Sequence, residues 1–309
     1  MRRWLAVALL LGATSAGAAR VDYATMIPTL KAHDARLLSI GWRLARANAG
    51  FCRNSAPAAG LMLVDLGDFG RPAEARAAMG IEGNIAVIAV APGGPAQRAG
   101  VGAGEHFQAI DGTPVADLKG AYARLDTAMA SRGSATLTVA AARTAARTVV
   151  VMGENACRGH FELLVGRKIA QTDGLRIEVS VDLLAERAQD DEAAFMAAHE
   201  LAHVALAHRA RLDAGSRNYI TVRRTEREAD RLAPWLMANA GYDPAGASRY
   251  MAFWGPRHSG GITRLPTHDS WRDRLALIDE EVARVKAARA AQPVGPLDWR
   301  GHFPFGEKP

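Results

Sequence analysis

The chain has 309 residues, 49% of them hydrophobic, and a formal net charge of +6. This length favours two domains. The charge falls to about +4 if a leader carrying Arg2 and Arg3 is removed, and the other Lys and Arg residues are scattered, which excludes a nucleic-acid-binding footprint.

Residues 1–18 have the pattern of a secretory signal peptide. Arg2 and Arg3 form a basic start, residues 4–11 are apolar, and Ala16-Gly17-Ala18 matches an A-x-A cleavage site. A membrane anchor is the competing interpretation, but the apolar stretch is shorter than the roughly 20 residues that span a bilayer. We therefore expect an exported protein, periplasmic or secreted, whose mature chain has no transmembrane anchor.

The two cysteines, Cys52 and Cys157, predict one disulfide, because an even count in an exported protein indicates pairing. In a cytosolic protein the same pair would be incidental. The chain has no C-x-x-C sequence, which argues against zinc ligation by sulfur.

Residues 19–59 form a predicted helical lead-in, in which Leu30, Leu37, Leu38 and Trp42 are spaced for one apolar face. From about Gly60 the sequence changes to short apolar strands and glycine-containing turns. The predicted elements there are a strand at 84–90, a turn and short helix at 91–100, a hairpin at 106–115, a helix at 116–130, and strands near 135–140 and 148–152.

Within this region, G-G-P-A-Q-R-A-G-V-G-A-G-E at 93–105 precedes A-I-D-G-T-P-V at 109–115. This order resembles a bacterial PDZ domain over about residues 60–152, with Glu105 in place of Asp and Gly94 in place of Ser. The resemblance implies a groove between a strand and the helix at 116–130 that binds an extended peptide by strand addition. The alternative is that the module only packs against the rest of the chain.

His199-Glu200-Leu201-Ala202-His203 is the most informative stretch of the chain, and it lies in a run from Asp191 to Leu212 without Gly or Pro. A continuous helix over this run would place both imidazoles on one face, because residues four apart lie one turn above each other. Two such histidines can bind a single zinc ion, and Glu200 can hold a water beside it. The alternative, a purely structural pair, leaves two titratable rings and a carboxylate together without a ligand.

A catalytic zinc needs a third protein ligand. Glu226 lies 23 residues beyond His203, and Asp230 shares its helical face, whereas Glu228 points elsewhere. This E-x-x-A-D pattern after an H-E-x-x-H helix resembles metallopeptidase family forty-eight, which includes the CAAX prenyl proteases. From the residues alone, Glu226 could instead be a surface carboxylate, and Asp230 could cap a helix or pair with Arg.

Further matches to this family cover about residues 160–291. Gly241-Tyr242-Asp243-Pro244 matches a turn after the second helix. Thr267-His268, with Arg274 six residues later, matches a downstream element in which Asp269 replaces the usual proline. His208 matches a histidine near the end of the zinc helix, but on a continuous helix it points about 180° away from His199, so we interpret it as structural or exposed.

The resemblance implies a role for each matched residue. His199, His203 and Glu226 would hold one zinc ion per chain, and Glu200 would take a proton from the attacking water. Asp230 would accept the second N–H of a ligand histidine. Two roles stay open for the downstream element: His268 or Arg274 lies near the oxyanion, or His268 approaches the zinc and restrains activity.

Together these interpretations predict an α+β fold. A mainly helical, zincin-type metallopeptidase domain at 156–291 would follow a small, β-rich PDZ-like domain at 60–155 and precede a C-terminal tail at 292–309. The expected function is a zinc endopeptidase acting on misfolded or exported proteins in the periplasm, with protein or peptide substrates and no nucleic acid as partners. The alternative function is a peptide-binding, chaperone-like protein with a latent metal site.

Overall fold

The computed structural model describes residues 22–166, 169–258 and 267–303. The predicted signal peptide lies outside the described residues. Within these ranges the chain is a mixed α+β fold with three separate sheets. This agrees with the predicted fold class at the level of α+β.

The helices account for most of the regular structure. They are α1 (Tyr23–Ala47), α2 (Pro72–Met79), α3 (Pro95–Arg98), α4 (Leu118–Arg132), α5 (Val181–Glu186), α6 (Asp190–Ala205), α7 (His208–Ala214), α8 (Tyr219–Asn239), α9 (Ala245–His258) and α10 (Trp271–Ala291). Across the described ranges, none of them combines the length and apolar character needed to cross a membrane.

The strands are short. They are β1 (Ser55–Ala58), β2 (Leu61–Asp65), β3 (Ile85–Val90), β4 (His106–Ile110), β5 (Thr113–Pro114), β6 (Ser134–Ala140), β7 (Arg147–Met152), β8 (Glu154–Cys157), β9 (His160–Leu164), β10 (Ala170–Thr172) and β11 (Arg176–Ser180). The strands and the helix predicted between residues 84 and 152 are confirmed, with shifts of a few residues at their ends.

The largest sheet has the strand order β2-β3-β4-β6-β7, and β5 pairs with β4. A tight hairpin connects β4 to β5, because Asp111 and Gly112 both adopt positive φ, at 49° and 75°. Helix α4 begins where the Asp117 carboxylate accepts the Gly120 N–H, and it ends at Gly133 with φ 70°. The helix and the sheet enclose an apolar core of their own, and we call this part of the chain, residues 59–152, the sheet unit.

The helical lead-in predicted for residues 19–59 is confirmed in part: α1 ends at Ala47, and β1 (Ser55–Ala58) follows where helix was predicted. Helix α1 contacts α6, β3 and β9, and Leu37, Leu38 and Trp42 are buried in the larger apolar core. The predicted disulfide between Cys52 and Cys157 is present. Antiparallel pairing of β1 with β8 accompanies it, so the two ends of the sheet unit lie together.

The third sheet has the order β10-β11-β9 and supports the helices that follow it. Helix α6 packs against β10 and β11 on one side and against α8 and α9 on the other. Nearly every residue of α6 is buried as a result, with His203 partly accessible. This central helix therefore defines the middle of the helical unit, which we take as α5 to α10 with the third sheet.

Residues 292–303, predicted as part of a tail, belong to the helical core, because Leu297, Trp299 and Phe303 are buried. Asn48 is the polar centre of this region. Its amide group donates to two main-chain carbonyls, and its Oδ1 accepts hydrogen bonds from Asn239 and from the Trp299 indole, at 2.9 and 3.1 Å. The end of α1, the end of α8 and the segment around Trp299 are thus joined at one buried amide.

Candidate metal centre

Helix α6 carries the first two predicted ligands. Its first turn is acidic, with Asp190, Asp191 and Glu192, which favours helix formation at the positive end of the helix dipole. The helix stops at Ala205, and Ala207 adopts the left-handed conformation with φ 50°. The prediction of one continuous helix from Asp191 to Leu212 is therefore wrong, because the chain turns at 206–207 and starts α7.

Helix α8 supplies the third predicted ligand. The Asn218 side chain accepts the N–H groups of Ile220 and Thr221, and the Thr221 hydroxyl in turn accepts the Asn218 N–H. This capping box fixes the start of α8 two turns before Glu226. Glu226 and Asp230 lie one turn apart on the face that packs against α6.

Three ligand atoms converge at this interface. The Nε2 atoms of His199 and His203 lie 3.2 Å apart, and the two oxygens of Glu226 lie 3.3 Å from His199 Nε2 and 3.6 Å from His203 Nε2. Zinc bonds of about 2.0–2.1 Å at tetrahedral angles separate two ligand atoms by roughly 3.3 Å. Nitrogen and oxygen donors with this spacing fit a zinc ion, and within the described residues this is the group with the geometry to hold a metal.

Asp230 stands behind His199. Its Oδ1 lies 3.0 Å from His199 Nδ1, an ion-pair contact that does not have hydrogen-bond geometry. Arg274 donates two hydrogen bonds of 2.7 Å to the Asp230 carboxylate, and both side chains are buried. The expected place of Arg274 beside the oxyanion thus needs correction, because its guanidinium is used to hold Asp230.

Glu200 follows His199 on α6 and is buried against the same interface. Burial raises the pKa of its carboxyl group, while the neighbouring histidines oppose that rise. Glu200 is thus a buried carboxyl group of raised pKa, close enough to His199, His203 and Glu226 for their charges to influence it.

His208 lies on the same side as His203, not on the opposite face of a helix. The turn at Ala207 brings its ring back, so that the Nδ1 atoms of His203 and His208 are 2.8 Å apart. Nε2 of His208 lies 2.9 Å from Glu228, whose carboxylate also accepts a 2.6 Å hydrogen bond from Arg211. The predicted exclusion of His208 from the ligand group agrees with this geometry, but the reason given for it was wrong.

His268 approaches from the exposed side of the centre. Its Nε2 lies 2.8 Å from Glu226, and 47% of its side chain is accessible. Asp269, the residue that departs from the family pattern, forms two hydrogen bonds with Arg227 of α8 at 2.5 and 2.9 Å. This pair anchors the His268 segment to the helix that carries Glu226.

Charges inside the centre stabilise one another. Burial would lower the pKa of His199, but the carboxylates of Asp230 and Glu226 raise it to about 10. Burial would raise the pKa of Glu226, but three neighbouring imidazoles hold it well below its usual range. For Asp230 burial acts in the same way, and Arg274 and His199 lower its pKa to about 2. Metal binding at His199 would therefore displace a proton.

Outside this interface, burial lowers the pKa of His208 to about 4 despite its contact with Glu228. The contacts of His208 with His203 and Glu228 were missed from the sequence. A turn at two non-glycine residues has no marker in the sequence, and Glu228 lies 20 residues away in the chain.

A comparison with protein-family models and with curated proteins finds no match for this chain.

Proposed function

We propose that this protein is a zinc-dependent endopeptidase that cleaves misfolded or exported proteins in the periplasm. The observation that carries the proposal is the convergence of His199, His203 and Glu226 at zinc-like spacing, with buried Glu200 on the same helix. The disulfide is compatible with the exported location that the predicted signal peptide implies.

The ligand set favours a catalytic zinc over a structural one. Structural zinc sites are usually closed by four protein ligands, whereas catalytic sites have three and an open position. In the described part of the chain three residues form the group, and a carboxylate adjoins it that a structural site would not need. A zinc ion bound there would polarise a water molecule and lower its pKa towards about 7.

Each side chain of the site has its own role in the proposed peptide hydrolysis. Glu200 accepts the proton of the attacking water and delivers it to the leaving amine, a role for which a raised pKa is suited. Asp230, held by Arg274, orients the His199 ring. His268 stands at the Glu226 edge, where it is placed either to donate to the oxyanion or to act as a restraining ligand.

A free strand edge against α6 fits an extended polypeptide substrate. Strand β10 packs against α6, and among the described strands it pairs on one side with β11 and on the other side with none. Its unpaired main-chain groups can align a peptide by strand addition. Recognition of main chain rather than of particular side chains suits an enzyme that acts on unfolded proteins.

Zinc content and cleavage of casein by the purified protein test the proposal. We expect about one zinc per chain, cleavage by the wild type, and retention of zinc by Glu200→Gln with a loss of activity of about 10²–10⁴-fold. Glu74→Gln, a change on the sheet unit, is the matched control and should cleave as the wild type does. Equal cleavage by wild type and Glu200→Gln, or absence of zinc from both, contradicts the proposal.

A second candidate function, peptide binding by a PDZ-like sheet unit, is favoured by a cleft beside α4, where Tyr122, Leu125 and Met129 line it. Its other walls are α1, the segment from β1 to Leu61 at the start of β2, and residues 156–161. Strand β2 is an edge of its sheet, as strand addition requires.

A contact on the free edge of β2 allows the two functions to be distinguished by experiment. There the Tyr122 hydroxyl accepts the N–H of Leu63 at 2.9 Å. A peptide that pairs with β2 at this position has to displace that contact. Bound peptide should therefore shift the amide resonance of Leu63 in the Glu200→Gln protein, which cannot process it. Peptide that perturbs the α6 resonances but leaves Leu63 unchanged supports the peptidase function alone.

A further inference from the structure

The two histidines of the proposed metal centre have different partners at their Nδ1 atoms. His199 Nδ1 faces the Asp230 carboxylate at 3.0 Å. His203 Nδ1 faces another imidazole nitrogen, Nδ1 of His208, at 2.8 Å. In the first arrangement the ionised carboxylate can only accept a hydrogen bond. In the second, each ring nitrogen can either donate or accept, depending on the tautomer.

Proton counting resolves the second arrangement. Two ring nitrogens 2.8 Å apart need one proton between them, because two protons would clash and none would leave two lone pairs facing each other. A metal at His203 Nε2 requires the lone pair of that atom, so the proton of the neutral ring lies on Nδ1. Nδ1 of His208 is then the acceptor, and the His208 proton lies on Nε2.

The far side of His208 matches this assignment. Its Nε2 lies 2.9 Å from Glu228 Oε2, an acceptor-only group when ionised. Arg211 donates a 2.6 Å hydrogen bond to the same oxygen, so the Glu228 carboxylate is held as an acceptor by an ion pair. His208 itself is 1% exposed, so water does not compete for either ring nitrogen.

We propose that His208 and Glu228 are positioning residues that fix the tautomer and the ring orientation of His203 for metal binding. The inference rests on the proposed zinc site and extends it. It assigns an orienting partner to His203, whose Nδ1 faces an imidazole rather than a carboxylate. The left-handed turn at Ala207 is part of this device, since it returns His208 to the His203 side.

Two near-isosteric variants test the inference on the full mature chain. His208→Asn places an amide oxygen near the position of Nδ1, so it preserves an acceptor for His203. His208→Gln places its amide near the position of Nε2, so it preserves the contact with Glu228 and removes the acceptor. The same His→Gln change at His106, in the sheet unit, is the matched control.

Zinc dissociation constants, measured by competition with a chromophoric chelator, should separate the variants. We expect His208→Gln to weaken zinc binding by about 10–100-fold, as loss of a group that orients a metal ligand does, and His208→Asn to weaken it by less than about threefold. His106→Gln should bind as the wild type. Equal affinities of the two His208 variants overturn the inference. Unfolding midpoints of the metal-free proteins show whether either variant has lost its fold.

The tautomer is a second readout that does not depend on a variant. Long-range ¹H–¹⁵N spectra of the zinc-loaded wild type should show His208 protonated at Nε2 and bare at Nδ1. The opposite tautomer overturns the inference whatever the variants show. A wild type that binds zinc tightly but has this opposite tautomer leaves the proposed function intact, whereas a wild type that binds no zinc overturns both.

Discussion

The sheet unit and the helical unit of this chain differ in where their charged side chains lie. The core of the sheet unit is formed by side chains such as Phe107, Leu137 and Val151, and its charged residues lie mostly at the rim. The interface of α6 with α8 instead buries Glu200 and Asp230 among ionisable neighbours. Buried charges cost free energy unless they are paired, so they are not expected where stability is the sole requirement.

This difference indicates what each unit contributes. Apolar burial makes the sheet unit stable through its own core, and its exposed pairs add little. The helical unit keeps its buried Asp230 because Arg274 and His199 lie against it, and Glu226 contacts the imidazoles of His199 and His203, so this interface is a candidate site for a cation. Substitutions that remove one charge from each unit should therefore have unequal effects.

Removing the disulfide that joins the two segments flanking the sheet unit should have a large effect. Cys52 and Cys157 close a loop with a sequence separation of 105, for which the chain-entropy relation gives about 4.7 kcal/mol. Cys52→Ala with Cys157→Ala should lower the free energy of unfolding by roughly 2–5 kcal/mol, measured by urea denaturation. Reduced wild type should match the double variant, and a loss below about 1 kcal/mol would contradict the prediction.

Removing one arginine from each unit tests directly whether buried and exposed charge pairs differ in their contribution to stability. Arg274→Met leaves the buried Asp230 carboxylate without its bidentate partner and should cost about 3–5 kcal/mol. Arg132→Met breaks the exposed pair with Asp111 in the sheet unit and should cost less than about 1 kcal/mol. Urea denaturation of both metal-free variants measures the two losses, and equal losses would remove the distinction.

A smaller, pH-dependent effect is expected where α1 meets the sheet unit. Asp34 is buried in an apolar cavity that Glu162 also lines, and burial raises the pKa of Asp34 to about 7. The folded state therefore binds the proton more tightly than the unfolded state, so the Asp34 contribution destabilises the fold progressively as pH rises from about 4 to about 7.

Asp34→Asn should remove this dependence. The variant should be more stable than the wild type by on the order of 3 kcal/mol at pH 8, and nearly equal to it at pH 4. Asp279→Asn, on the exposed face of α10, is the control and should follow the wild-type curve. A constant difference between Asp34→Asn and wild type across this pH range would show that Asp34 does not titrate as stated.

The sequence was sufficient for local features with a strong pattern. The strands and turns between residues 84 and 152 were predicted because apolar stretches alternate with glycine there, and the disulfide because the cysteine count is even. The spacing of His199 and His203 on one helical turn required only the helical period. These features depend on neighbours in the chain.

Features that depend on distant or irregular contacts were not predictable. Arg274 pairs with Asp230 across 44 residues, and no spacing rule indicates which carboxylate a downstream arginine reaches. The end of α6 falls at Leu206 and Ala207, two residues that favour helices, so its cause lies in packing rather than propensity. The small strands β8 to β11 also lack long alternating patterns, and they form through pairing with one another and with β1.

The amide of Asn48 has a consequence for the order of synthesis. Its acceptor atom is shared by Asn239 and Trp299, and the Trp299 partner is made 251 residues later. A nascent chain that has not yet reached Trp299 leaves the C-terminal end of α1 with an incomplete buried network and an open gap in the helical core. The sheet unit has no such dependence on late residues for its own core. Vectorial folding can therefore complete the sheet unit first, while the helical core, which contains the proposed metal centre, is completed only after Trp299 has emerged.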